Sequence, residues 1–222
     1  NPALYDKLPY DALADFAAVT RYGISPFVVM VAKNLPAPTL KDFVALLKRE
    51  PNKHNFGAGS LPSRIASEMF RQVAGVDMVH VGYKGNQQAF PDLTGGRISM
   101  MSVDVVGAKP LIDRDAVHAL ALSDAERNAA VPNVPTSAEA GLPDFNISTW
   151  SGLYAPRGVP KDLVARISRD FNEAGASPDT KAKLDALGGS RALTTPEEFQ
   201  SFTASEIDRW GRIIRAAGLK VE

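Results

Sequence analysis

The sequence contains no cysteine and no excess of either charge. Its 222 residues include 25 Lys and Arg against 25 Asp and Glu, so the formal net charge is zero with the three histidines neutral. The absence of cysteine excludes a disulfide scaffold and a thiolate metal site. Because nucleic-acid binding relies on an excess of Lys and Arg to neutralise phosphates, the balanced charge also predicts that nucleic acid is not a partner.

Long hydrophobic runs are missing as well. The longest apolar run, residues 27–32, is far shorter than the roughly 20 residues that a membrane-spanning helix needs, so we expect no direct insertion into a membrane. The N-terminus lacks both an initiator Met and the basic-then-apolar pattern of a signal peptide, which suggests a processed or trimmed chain. The 45% hydrophobic and 23% charged composition is typical of a soluble globular protein. The length fits one large domain or two small ones.

The order of apolar patterns along the chain indicates the fold class. Residues 27–32 are apolar at every position, which is typical of a buried parallel strand. Further strand patterns at 78–81 and 98–103 alternate with helical patterns. The C-terminal third is helical, with Thr195 and Glu198 spaced as a capping box. This alternation predicts an α/β protein with a largely parallel sheet.

Sequence signatures of catalysis are mostly missing. The chain has no Gly-x-Ser-x-Gly elbow, no His-Glu-x-x-His, no P-loop and no complete Gly-x-Gly-x-x-Gly. His54, His80 and His118 are scattered, and the last two lie inside strand patterns, which favours packing histidines over catalytic or metal-binding ones. We therefore expect a protein that is not an enzyme and that holds no cofactor and no metal ion.

The best candidate for a binding site is the segment GAGS at 57–60, between a strand and a helix that begins at about residue 62. Small residues let backbone N–H groups approach a ligand, and the helix start adds unpaired N–H donors and a positive dipole end. Such a loop can hold a carboxylate without any Arg or Lys. Alternatively, the glycines only give a tight connection its backbone freedom. The candidate ligand-binding residues here are Gly57, Ala58, Gly59, Ser60 and Ser63.

Four other residues are candidates for ligand contact. Tyr83 can stack on a ligand or hydrogen-bond to it, and Lys84 can pair with an anion, although a solvated lysine in an exposed turn is the alternative. Asp104 ends a strand pattern and either contacts a polar group of the ligand or caps the next helix. Trp150 forms either the wall of a cleft or part of a core.

Four longer motifs occur along the chain: VHVGYKG at 79–85, DLTGGRI at 92–98, VPTSAEAGLP at 134–143 and WSGLYAP at 150–156. Together with KLPYD at 7–11, they resemble, in sequence and in order, the Bug-type receptors. These are the extracytoplasmic solute-binding proteins of tripartite tricarboxylate transporters. The resemblance implies a periplasmic location and membrane transporter subunits as partners. It also implies a small carboxylate as ligand: a di- or tricarboxylate, an amino acid or a related organic acid.

The resemblance also implies an architecture. The expected α/β fold is two-lobed and similar to the type II periplasmic binding proteins (a Venus flytrap), with mixed sheets flanked by helices. Lobe 1 would comprise residues 1–27 and the C-terminal helices of 150–222, and lobe 2 would comprise residues 28–149. In the family, one strand-to-helix loop from each lobe grips a carboxylate. Residues 57–63 match the loop of lobe 2, and Tyr83, Lys84 and Asp104 match positions that line the cleft.

The chain departs from the family pattern in several places. It starts downstream of the family's Pro-Gly-Gly loop, so we expect lobe 1 to be incomplete. Arg64 stands where histidine is common, and Gly82 where proline is common. Arg64 either answers a second carboxylate of the ligand or is a solvated helix residue. Two other functions stay open: an effector-binding sensory domain of a regulator or signalling system, and an α/β enzyme that uses Asp104 and a histidine as acid and base.

Overall fold

The computed structural model of the chain describes residues 2–5 and 7–219. The outer ends of the predicted lobe 1, Asn1 and Glu222, lie outside the described residues. In chain order the elements are β1 (Phe16–Ala32), α1 (Leu40–Arg49), β2 (Asn55–Ala58), α2 (Leu61–Ala74), β3 (Val79–Gly82), α3 (Asn86–Thr94), β4 (Met100–Asp104), α4 (Val105–Asp113), β5 (Val117–Leu122), β6 (Ser148–Pro156), α5 (Lys161–Ala176), α6 (Pro178–Leu187), β7 (Ser190–Arg191) and α7 (Pro196–Ala216).

The chain divides into two compact units, which we name by their place in the sequence. The central unit comprises Ser25–Thr149 together with Ala186–Gly189. The terminal unit comprises the described residues up to Ile24, Trp150–Asp185, and those from Ser190 onward. None of the helices in the described part of the chain combines the length and the apolar composition that a membrane crossing requires.

The central unit is built on a mixed sheet with the strand order β3-β2-β4-β1-β5. β2 pairs in parallel with β3 on one side and with β4 on the other. β1 pairs antiparallel with both β4 and β5. The mixed α/β architecture expected from the family resemblance is therefore confirmed. The largely parallel sheet expected from the strand–helix alternation is wrong, because only half of these four pairings are parallel.

The error lies in the prediction of a buried parallel strand at residues 27–32. This segment belongs to β1 and is fully buried, but both of its neighbours run antiparallel to it. Its burial comes from the layers that cover the two faces of the sheet. On one face, Val28 and Met30 join a core cluster with Leu93 of α3 and Leu111 of α4. Burial on both faces therefore does not report the direction of a strand when helices cover both sides.

Local sequence signals place the helix starts correctly. The side chain of Thr39 accepts a hydrogen bond from the backbone N–H of Asp42 at the start of α1, as expected of an N-cap. Thr195 and Glu198 form the predicted capping box at the start of α7. Pro91, a potential helix breaker, lies within α3 without ending it. In the terminal unit, the first part of β1 pairs antiparallel with β7, and it also pairs with β6.

Candidate functional site

The segment 57–60 connects β2 to α2, as the sequence predicts. α2 begins at Leu61, one residue before the predicted start, and Ser60 is its N-cap. The side-chain oxygen of Ser60 accepts a hydrogen bond of 3.3 Å from the backbone N–H of Ser63. The first turn of α2 carries no acidic residue. The positive end of the helix dipole is therefore not offset there by a side chain of the same turn.

The two glycines of this segment are required by packing. A Cβ at Gly57 would lie 2.4 Å from a side-chain carbon of Ile98. A Cβ at Gly59 would lie 1.9 Å from the carbonyl carbon of Gly85 and 2.2 Å from the backbone nitrogen of Asn86. The loop before α3 therefore lies directly against the loop before α2. Close packing between two backbones explains Gly59 without a ligand, whereas the alternative considered from the sequence was the backbone freedom of a tight connection.

Asn86 joins these two loops and was missed by the sequence analysis. Its side-chain oxygen accepts a 2.9 Å hydrogen bond from the backbone N–H of Gly59. Its side-chain nitrogen donates a 3.3 Å hydrogen bond to the hydroxyl oxygen of Ser60. The only signal in the sequence was the asparagine directly after the VHVGYKG motif at 79–85. One of the N–H donors expected to face a ligand, that of Gly59, is thus bonded to a side chain of the protein.

Ser63 lies beneath the loops rather than at their surface. It is 1% exposed, and its hydroxyl donates a 2.6 Å hydrogen bond to the backbone oxygen of Ser102 in β4. Ala58 is also buried. Among the described residues, the hydroxyl oxygen of Ser102 has no hydrogen-bond partner. Ser63 therefore fixes α2 to the sheet, and its hydroxyl proton is not available to a ligand.

Tyr83 is hydrogen-bonded to Asp92, which also pairs with Arg97. Its hydroxyl donates a 2.6 Å hydrogen bond to a carboxylate oxygen of Asp92, and Nε of Arg97 donates to the other oxygen at 2.7 Å. Burial, followed by the hydrogen bond to Asp92, raises the pKa of Tyr83 to about 12. The hydrogen bonds from Tyr83 and Arg97 lower the pKa of Asp92. The Tyr83 hydroxyl is thus neutral at neutral pH, and its proton is already donated to Asp92.

Lys84 lies two residues after the end of β3, and Asp104 is the last residue of β4 in the same sheet. Lys84 is exposed, and its ammonium group makes no ion pair with any residue that the structure describes. Asp104 is the N-cap of α4, and its Oδ1 accepts a 3.0 Å hydrogen bond from the backbone N–H of Gly107. Of the two roles open to Asp104, capping the next helix is the one seen.

Trp150 belongs to the terminal unit, where it is partly buried. Its ring makes edge-to-face contacts with Phe199 and Phe202, at centroid distances of 5.7 and 5.4 Å. Its indole N–H donates a 3.1 Å hydrogen bond to Oε2 of Glu206, a buried carboxylate that also accepts one of 2.8 Å from Trp210. Trp150 also lines a cavity together with Tyr10, Phe16 and Tyr154, so its contacts are compatible with both of the roles open to it.

The structure thus brings the loop residues together and sets others apart. The contact between the β2–α2 and β3–α3 loops is surrounded by residues 57–60, Tyr83 and Lys84. Trp150 belongs to the other unit. Within residues 2–5 and 7–219, no group of three or more His, Asp or Glu side chains is placed to hold a metal ion. The described site therefore offers N–H donors at two helix starts, the hydroxyl of Ser60 and a lysine, which are groups suited to an anion.

Comparisons with known proteins identify the family. The family model of the tripartite tricarboxylate transporter family receptor matches residues 1–219. A UPF0065 protein from the tcbD-tcbE intergenic region of Pseudomonas sp. (strain P51) is 33% identical over 213 residues, which cover 95% of this chain and 63% of that protein. Protein BugT of Bordetella pertussis is 29% identical, over 99% of this chain and 68% of that protein. The chain thus spans about two thirds of the length of these curated relatives.

Solved structures agree with this match. R. palustris Rpa4515 with adipate superposes with a TM-score of 0.90 at 27% identity, over 98% of this chain and 74% of that chain. MatC (Rpa3494) from Rhodopseudomonas palustris with bound malate has a TM-score of 0.83 at 29% identity, over 96% of this chain and 74% of that chain. The family and these neighbours are solute-binding proteins rather than enzymes. The chain belongs to the receptor family of the tripartite tricarboxylate transporters.

Proposed function

We propose that this chain is the ligand-capturing part of a periplasmic receptor, which binds a small carboxylate and delivers it to the membrane subunits of a tripartite tricarboxylate-type transporter. Family membership supports the receptor role, and the adipate and malate bound to two similar structures support a carboxylate ligand. We further propose that the central and terminal units correspond to lobes 2 and 1 of the family. The observation that carries the proposal is the contact between the two strand-to-helix loops.

The electrostatics of this contact favour an anion. α2 and α3 both begin there, and neither has an acidic residue in its first turn. α3 follows Gly85 without a side-chain cap, so the N–H groups of its first turn are not satisfied by a capping side chain. Lys84 lies in the β3–α3 loop, and its position in the sequence is between the two helix starts. Two positive helix ends and a lysine attract a carboxylate.

The site includes residues that contact a ligand and residues that support them. We propose that the carboxylate is contacted by Ser60, Lys84, the backbone N–H of Leu61 and the N–H groups at the start of α3. Gly57, Gly59 and Tyr83 then act by packing, because each is committed to a neighbour within the protein.

A thermal-shift screen of mono-, di- and tricarboxylates and amino acids tests the function. A true ligand at about 100 times its dissociation constant should stabilise the protein by about 2.7 kcal/mol. The amide derivative of the same compound should give no shift, because it lacks the charge. A protein that melts at one temperature with every compound of the panel would contradict a carboxylate receptor.

Lys84→Ala tests the position of the site. An exposed ion pair contributes about 0.2–1 kcal/mol, so we expect the affinity to fall by up to about fivefold. Lys53→Ala is the matched control, because Lys53 is an exposed lysine of the same unit in the turn before β2. Equal affinities of the two variants for the ligand would place the carboxylate elsewhere.

A further inference from the structure

The hydroxyl oxygen of Ser60 accepts two hydrogen bonds from within the protein. The backbone N–H of Ser63 donates one at 3.3 Å, and the side-chain nitrogen of Asn86 donates the other at 3.3 Å. A serine hydroxyl has two acceptor lone pairs and one hydrogen, so both lone pairs are occupied. Within the part of the chain that the structure describes, no group accepts the hydrogen of this hydroxyl. The exposed Ser60 side chain is therefore left with a donor only.

The orientation of the Asn86 amide follows from its other partner. Its side-chain oxygen lies 2.9 Å from the backbone nitrogen of Gly59. A backbone N–H can only donate, so the amide oxygen must face Gly59 and the amide nitrogen must face Ser60. The bond to Gly59 thus decides which atom of Asn86 meets the hydroxyl.

Main-chain packing holds Asn86 close to Ser60. A Cβ at Gly59 would lie 2.2 Å from the backbone nitrogen of Asn86, so the two main chains are in direct contact. Asn86 is also the first residue of α3, whose first turn is closed by a 3.1 Å hydrogen bond from the backbone N–H of Gln88 to the carbonyl oxygen of Gly85. The hydroxyl of Ser60 is therefore oriented by a fixed group before any ligand arrives, which is the condition for preorganised binding.

Resting on the proposed capture of a carboxylate at these loops, we propose that Asn86 is a positioning residue that keeps the Ser60 hydroxyl as a hydrogen-bond donor to the ligand. An ionised carboxylate has only acceptors, so it matches this donor. A ligand group that can only donate, such as an ammonium, finds no acceptor at Ser60. Asn86 thus contributes to the selection of carboxylates by acting through Ser60 rather than by a contact of its own.

A double-mutant cycle separates this role from that of a bond that only holds the loops together. The probes are acetate, succinate and citrate, measured by isothermal titration calorimetry. Ser60→Ala should lower the affinity at least about tenfold, because a hydrogen bond to a charged group is lost. Asn86→Ala should lower it about two- to tenfold, which corresponds to one neutral hydrogen bond. In the Ser60→Ala protein, Asn86→Ala should change the affinity by less than about twofold, because no hydroxyl is left to orient.

Asn86→Asp isolates the donor to Ser60. It retains an acceptor for the N–H of Gly59 and so preserves the contact between the loops, but its second oxygen competes with the ligand for the Ser60 proton. Gln87→Glu places the same charge on the next residue, which is exposed, and is the reference for the effect of charge alone. The affinity of the Asn86→Asp protein should be about two- to tenfold lower than that of the Gln87→Glu protein.

The outcomes distinguish this inference from the proposed function. A protein that binds none of the three acids overturns carboxylate capture, and the role of Asn86 with it. If an acid binds but Asn86→Ala costs the same factor with and without the Ser60 hydroxyl, Asn86 only holds the loops together, and its positioning role is overturned while capture stands. Equal affinities of the Asn86→Asp and Gln87→Glu proteins lead to the same conclusion, and this comparison holds even if the Asn86→Ala protein does not fold.

Discussion

Gly59→Ala tests whether the two loops are held by direct backbone packing. A Cβ at this position would meet three backbone atoms: the carbonyl carbon of Gly85 at 1.9 Å, the nitrogen of Asn86 at 2.2 Å and the carbonyl oxygen of Gly85 at 2.3 Å. Carbon atoms prefer separations of about 3.5–4.0 Å, so the loops must separate by more than about 1 Å. No side-chain rotation relieves the clash, because all three atoms belong to the main chain.

The cost follows from two effects. Overpacking a close-packed site costs about 1–3 kcal/mol. Separation of the loops also weakens the hydrogen bond from the Gly59 N–H to the side chain of Asn86, which contributes about 0.5–1.5 kcal/mol. We therefore expect Gly59→Ala to lower the free energy of unfolding of the central unit by about 2–4 kcal/mol. Gly82→Ala is the control, because a Cβ at Gly82 meets only a His80 carbon at an ordinary distance of 3.6 Å.

The assay must report on the central unit. Both tryptophans of the chain, Trp150 and Trp210, belong to the terminal unit, so tryptophan fluorescence does not follow the loops. Hydrogen exchange measured by mass spectrometry on peptides covering 55–75 and 79–94 does follow them. Gly82→Ala should stay within about 0.5 kcal/mol of the unchanged protein. If these peptides are as strongly protected from exchange in the Gly59→Ala variant as in the Gly82→Ala variant, the loops are not packed as described and the reasoning is refuted.

Three further predictions concern titration and buried charge. Asp92→Asn removes the acceptor carboxylate and should lower the pKa of Tyr83 from about 12, as followed by ultraviolet absorbance during an alkaline titration; an unchanged midpoint would mean that burial alone sets it. Glu206→Leu removes Oε2, the one oxygen that accepts from both indole N–H groups, so it should cost about 1–3 kcal/mol and shift the fluorescence of Trp150, and an unchanged melting temperature and spectrum would contradict this pairing. Because burial lowers the folded-state pKa of His80, the protein should lose stability as the pH falls through 6.5 and below, and His80→Gln should lose less over that range in urea titrations.

The helix starts could be predicted from sequence because their chemistry is local. Thr39, Ser60 and Thr195 each bond a backbone N–H three residues away, so the whole interaction lies within four consecutive residues. The alternation of strands and helices likewise follows from short-range periodicity. Strand direction does not, since the fully buried residues 27–32 give the same apolar pattern whether their neighbours run parallel or antiparallel.

Sequence motifs predicted which loop segments lie together, but not the partners of their residues. Segment 57–60 and Tyr83 do lie around one loop contact, because the family motifs mark the ends of neighbouring strands. The partners of these residues could not be predicted. The bond from Gly59 to Asn86 joins residues 27 positions apart, and the bond from Ser63 reaches the backbone of another strand, 39 positions away. The sequence alone does not show whether a loop glycine is approached by a ligand or by another backbone.

These hydrogen bonds within the protein reduce the number of N–H groups that can balance the negative charge of a ligand. The loop at 57–60 was expected to hold a carboxylate without any Arg or Lys, yet the N–H of Gly59 bonds to Asn86 and that of Ser63 to Ser60. Fewer backbone donors are left than the loop sequence implies. A carboxylate at this site therefore needs a cation as well as the two helix ends. A chain with zero net charge can provide a cation there if a nearby lysine or arginine has no acidic partner. Within the described residues Lys84 lies in the β3–α3 loop and makes no ion pair, so we expect its substitution to lower the affinity for a carboxylate more than substitution of a paired cation of the central unit does.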